Sequence, residues 1–154
     1  MHLRSLIASL TFMTLACSHR PTPATVLFLC PHGAAKSLIA ASYFNQLATQ
    51  RKLPMSASAA ATEEPYGEVP VPVSRALGAE GFDVSSFQPR RFAATDLDCA
   101  TRVVTIDCDP PAIPTSHVEV ERWDDVPKVS EDLDGSIASI RLHVARLVEE
   151  LAAR

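Results

Sequence analysis

The chain has 154 residues, 47% of them hydrophobic and 21% charged, with a formal net charge of −4. That is one domain's worth of polypeptide, in a globular balance that excludes wholesale disorder and a multi-span membrane protein. The acidic balance leaves no basic footprint for nucleic acid, and 4 cysteines are too few for a disulfide scaffold.

Residues 1–16 join Arg4 to an apolar run, Leu6 to Ala16, broken only by Ser9, Thr11 and Thr14. A positive start, an apolar stretch of about a dozen residues and a small residue before the junction make a secretory signal peptide, too short to span a bilayer. Thr14-Leu15-Ala16-Cys17 resembles a bacterial lipobox, which implies a lipidated Cys17 and anchoring to a membrane. A soluble exported protein, or a misassigned start codon before a cytosolic one, stays open beside that reading. The expected organisation is a signal peptide at 1–16, a linker at 17–24 and an α/β domain at 25–154, periplasmic or membrane-anchored in a bacterium.

Val26-Leu27-Phe28-Leu29 has the length and continuous apolarity of a strand covered on both faces. Pro31 and Gly33 punctuate its end, and the spacing of Leu38, Ile39, Ala41, Tyr43, Phe44, Leu47 and Ala48 predicts a helix over 37–51 that Pro54 stops. Residues 55–61 are weak strand formers, assigned as a strand only by βαβ logic. A short helix is expected over 72–80, irregular chain over 82–92 and a helical turn near 95–100. Arg102–Ile106 reads as a buried strand and His117–Trp123 as a fourth. A final helix is expected from about Ser136, with Ile137, Ile140, Val144, Leu147, Val148 and Leu151 on one stripe. The sum is a single α/β domain whose four-stranded parallel sheet is flanked by helices and wrapped on both sides.

In open parallel sheets ligands sit beyond the carboxyl ends of the strands, which directs attention to Cys30-Pro31-His32-Gly33-Ala34-Ala35-Lys36-Ser37. A cysteine at a strand end, a tight return and a helix start place backbone N–H groups around one concavity at a positive dipole end. That geometry suits an oxyanion, and such a field lowers a thiol pKa from about 8.5 toward roughly 3.5–7.5. Cys30 is therefore the candidate nucleophile. Gly33 supplies the backbone freedom, Lys36 a cation beside the anion, and the Ser37 hydroxyl a hydrogen bond to sulfur. Ala35 before Lys36 excludes a mononucleotide P-loop, which requires glycine there.

The string from Val26 to Ser37 resembles the active-site loop of the low-molecular-weight protein tyrosine phosphatases and the related thioredoxin-coupled arsenate reductases, where a strand runs into C-x5-R-S/T. Ser56-Ala57-Ser58, Leu77 through Gly81-Phe82-Asp83, Val103-Val104-Thr105 and Trp123-Asp124-Asp125-Val126-Pro127 extend the resemblance from Val26 to about Leu151. It implies a thiophosphate on Cys30, Ser37 as partner of the thiolate, the backbone of Pro31, His32, Gly33, Ala34, Ala35 and Lys36 as oxyanion cradle, and Asp125, with Asp124 second, as general acid. The sequence departs from the family at Lys36, a point charge where the pattern has the planar fork of arginine, and at Val126, inserted before Pro127. Arsenate reduction, with Cys108 as a redox thiol, and non-catalytic oxyanion binding are the alternatives. Cys99 and Cys108 otherwise read as buried thiols or a disulfide. No cofactor is implied, the five histidines share no metal-ligand spacing, and Arg90-Arg91 read as a solvated surface pair.

Overall fold

The computed structural model describes residues 24–113 and 118–154. The signal peptide, Cys17 and most of the linker, as well as His117, lie outside them. The order is β1 (Ala24–Cys30), α1 (Lys36–Gln50), β2 (Met55–Ala61), α2 (Val71–Ala79), a 3-10 turn (Ala94–Leu97), β3 (Ala100–Ile106), β4 (Glu119–Trp123) and α3 (Leu133–Ala152). The sheet is four-stranded and wholly parallel in the order β2-β1-β3-β4.

β1 lies between two strands, and its residues Val26 to Leu29 are fully buried, which is why their apolarity is continuous rather than alternating. Val26, Phe28 and Cys30 face one apolar cluster with the buried residues of α1 and α3 and with Val73 and Leu77 of α2. Leu27 and Leu29 face the other, where the covering residues are Phe92, Leu97, Ile113 and Val118. Cover on this second face comes from the 3-10 turn and irregular chain. The pairing Cys30↔Ala61 and Ile106↔Trp123 brings the ends of all four strands to one rim.

Two boundaries differ from expectation. Ala24, read as linker, begins β1. α3 starts one turn before Ser136, because the Asp132 side chain accepts the Gly135 N–H at 2.8 Å and caps the helix. β2, an edge strand, forms despite poor propensity because β1 pairs with it along its length and residues 90–92 join it at its end: Ala61 N–H donates to Arg90 O, and Phe92 N–H donates to Ala61 O.

The far end of the sheet is locked to α3 by charge. Arg102 is 5% exposed, and its guanidinium meets Glu119 at 2.6 Å, Glu121 at 3.1 Å and Glu150 at 2.7 Å. Arg154 hydrogen bonds hold the Glu119 carboxyl below the usual glutamate value, and Arg102 hydrogen bonds do the same for Glu150. A depressed folded-state pKa contributes stability that is present above the unfolded value of about 4.3 and is lost as pH falls through the folded value. Urea midpoints are thus expected to drop between pH 7 and pH 3.5. Arg102→Met is expected to lose roughly 1–3 kcal/mol at pH 7, less than a fully buried pair because the glutamates reach water, and to lose less on acidification than the parent.

Candidate active site

The loop leaving β1 is shaped by its carbonyls. Those of Cys30, Pro31 and His32 accept the amides of Thr62, Glu63 and Tyr66, so the segment after β2 runs alongside the loop and fixes its outer edge. Ile39 N–H, bonded to Ala35 O, is the first α1 amide given an acceptor. The amides of His32 to Leu38 have none among the described residues, and Ala35, at the helix cap, offers no side chain to take them. They are free backbone donors on the loop between β1 and α1.

Gly33 has φ +67°, and a Cβ there would stand 2.8 Å from Ala61 N and 3.0 Å from Ala60 C. Glycine in the loop and alanines on β2 are one adaptation: the loop lies directly against the strand backbone. Cys30 is buried at the loop's root with its Sγ 3.1 Å from Ser37 Oγ. Cys30 ends β1 and Ser37 stands in the first turn of α1, and Cys30 lines a cavity of about 600 Å³. Pro31, His32, Ala35 and Lys36 also line it, and its walls come from Tyr66, Pro70, Pro72, Val73 and Val129, with Asp107 and Lys128 as charged groups. The His32 ring stacks on Tyr66 with centroids 4.4 Å apart, and its Nδ1 lies 3.0 Å from Glu64 O.

Lys36 reaches this cavity, but its ammonium is committed. Nζ donates to Asp107 Oδ2 at 3.2 Å and to Val126 O at 3.0 Å, and the side chain is only 8% exposed. Asp107 had no place in the sequence reading. It follows β3 directly, at φ +56°, a left-handed conformation that aspartate tolerates better than most residues. Its position one residue past a strand end was the available signal.

Asp125 is not brought to Cys30. Its carboxylate lies 2.8 Å from His143 Nε2 and lines a separate cleft of about 280 Å³ with Ser139, Leu142 and Arg146. Arg146 donates to His143 Nδ1 at 3.2 Å, so the ring carries its proton on Nε2 and donates it to Asp125. Asp124 is held by Arg122 at 3.1 Å. The cause lies in the inserted residue: Val126 is 5% exposed and packs into the core, which turns its neighbour outward toward α3. The expectation of Asp125 above the nucleophile is corrected accordingly.

The other cysteines also depart from the reading as buried thiols or a disulfide. Cys99 is exposed, Cys108 half-buried, and both are free. Cys108 Sγ lies 3.7 Å from Leu29 O, and burial pushes its thiol pKa up. Arg90 and Arg91 are paired with Asp96 and Glu64 at 2.8 and 2.7 Å, away from the cavity lining.

No protein-family model and no curated protein matches the chain. Solved structures do. The thioredoxin-dependent arsenate reductase of Corynebacterium glutamicum superposes with a TM-score of 0.74 at 20% identity, over 87% of this chain and 64% of that one. This chain thus spans less than two thirds of that protein. A low-molecular-weight protein tyrosine phosphatase of T. tengcongensis gives 0.70 at 18% identity over 82% and 99%, and an arsenate reductase of Archaeoglobus fulgidus gives 0.61 at 25% over 84% and 99%. The chain has the low-molecular-weight phosphatase fold. That fold, shared by phosphatases and arsenate reductases, places the β1–α1 loop at the rim where the cavity lies.

Gly33→Ala is expected to destabilise the protein by about 1–3 kcal/mol, since the new methyl meets β2 backbone at a left-handed φ. Thermal melting with and without phosphate should show a lowered midpoint and a smaller phosphate-induced rise, because the displaced loop misaims its amides.

Proposed function

We propose that the protein is a cysteine-dependent phosphomonoester hydrolase of low turnover, acting through a thiophosphate on Cys30. The observation that carries this reading is the row of amides from His32 to Leu38 without acceptors among the described residues, on the loop that follows a buried sulfur with a hydroxyl at 3.1 Å. Amides aimed at one point stabilise the equatorial charge of a transferring phosphoryl group, and they do so without reorganisation. Ser37 supports the sulfur as it becomes the leaving group of the second step. The fold neighbours, phosphatases and arsenate reductases alike, are consistent with oxyanion chemistry at this rim.

Low turnover follows from Lys36. Its charge is shared with Asp107 and a carbonyl, and an ammonium lacks the two parallel N–H bonds that a guanidinium gives a phosphoryl group. The same commitment favours a second reading, an oxyanion-binding protein without turnover. Arsenate reduction, with Cys108 as the redox thiol, has the weaker support: the thiol is half-buried and burial raises its pKa.

With p-nitrophenyl phosphate, wild type is expected to exceed Cys30→Ser by at least about 100-fold. Lys36→Arg is expected to raise kcat/KM by about tenfold or more, some 1.4 kcal/mol of transition-state binding. Wild type equal to Cys30→Ser, with phosphate still binding by calorimetry, would establish the non-catalytic reading instead.

For residues 1–23, which precede the described fold, we propose export behind the signal peptide, with Cys17 the lipidated N-terminus. Mass spectrometry of protein from bacterial membranes is expected to find the mature chain starting at Cys17 with an added diacylglyceryl mass. An intact Met1 would assign the protein to the cytosol.

A further inference from the structure

A phosphomonoester with a basic leaving group needs a proton at the departing oxygen, and the two acids suggested by sequence are both occupied elsewhere: Asp125 by His143 and Asp124 by Arg122. The cavity above Cys30 holds its own candidates. Its titratable lining is Cys30, His32, Lys36, Tyr66, Asp107 and Lys128. Asp107 is an acceptor there, with Oδ2 taken by the Lys36 ammonium.

His32 differs from the rest in how it is held. A backbone carbonyl can only accept, so the contact between Nδ1 and Glu64 O fixes a proton on Nδ1. Nε2 is then the atom that gains and loses a proton, and it has no partner among the described residues. The stack on Tyr66 at 4.4 Å and 16° fixes the ring plane, and the residue is two positions from the nucleophile on the same loop. Histidine exchanges protons across neutral pH, where a general acid is most effective.

We propose that His32, through Nε2, is the general acid and base of this site, a role that rests on the phosphatase reading above. In the first step the Cys30 sulfur pair forms the S–P bond as the P–O bond to the leaving group breaks. The leaving oxygen takes the Nε2 proton of the imidazolium, and the alcohol or phenol departs neutral. In the second step water attacks phosphorus, the S–P pair returns to sulfur, and neutral Nε2 takes the water proton. The products are inorganic phosphate and the starting imidazolium.

The test is leaving-group dependence in His32→Asn, whose amide N–H can keep the bond to Glu64 O but has no proton to give. Phenyl phosphate releases a phenolate about as basic as a tyrosine side chain, near pKa 10; p-nitrophenyl phosphate releases a far weaker base that departs without help. His32→Asn is expected to cut kcat/KM, which reports the first step, by about 100-fold or more on phenyl phosphate and by no more than about threefold on p-nitrophenyl phosphate, while kcat falls on both because they share the second step. The second substrate also reports that the variant is folded. Equal losses of kcat/KM on both substrates, or no such loss on phenyl phosphate, overturn the assignment while leaving the phosphatase intact. A selective loss in Asp107→Asn with none in His32→Asn overturns it in favour of Asp107. If wild type turns over neither substrate beyond Cys30→Ser, the phosphatase reading itself fails and the role of His32 falls with it.

Discussion

One buried ammonium ties together the three loops that make the rim. Lys36 stands at the end of the β1 loop, Asp107 follows β3 and Val126 follows β4, and all three meet at Nζ. A cation so far removed from water costs several kcal/mol unless it is paired and hydrogen-bonded, so the loops after β3 and β4 are constrained to come to it. The consequence for chemistry is direct. Charge used to close the structure is partly withdrawn from any anion entering the cavity, and on the proposed function recognition falls mainly to the backbone amides.

Those amides are available because everything else in the loop is already used. The outer carbonyls are taken by Thr62, Glu63 and Tyr66, and the inner edge is pressed onto Ala60 and Ala61. β2 reads poorly as a strand for this reason. Larger β-branched residues at its end would suit a sheet better, but they would lift Gly33 away and open the loop. Local propensity is sacrificed where the loop needs a close approach, and pairing with β1 along β2 and with residues 90–92 at Ala61 compensates.

This division explains what could be read from sequence. β1, α1 and β3 declare themselves by apolar pattern, because their burial repeats along a few consecutive residues. The Cys30 to Ser37 cluster was equally legible, since a strand end, a glycine turn and a helix start are set by local spacing. Asp125 was not. Its direction is decided by His143, 18 residues away, and by Val126, whose carbonyl answers to Lys36 90 residues earlier. Asp107 was missed because one residue after a strand has no periodic signature, and the start of α3 because a capping aspartate was passed over in favour of the apolar stripe.

The segment after β4 is fastened at each step: Asp125 to His143, Val126 to Lys36, Pro127 O to Ser136 Oγ at 2.8 Å, and Asp132 to the first turn of α3. A wall held at four points is preorganised rather than recruited by substrate, and Lys128, Val129 and Ser130 in its middle are delivered to the cavity in place. Fixing it there has a chemical corollary. An acid carried on this segment would have to break the His143 bond, and the core packing of Val126 resists the turn that would do so. A proton donor belonging to the nucleophile's own loop faces no such barrier. On the proposed function, the geometry separates two roles: the β1 loop carries the free amides and Cys30, and the β4–α3 segment forms a fixed wall of the cavity.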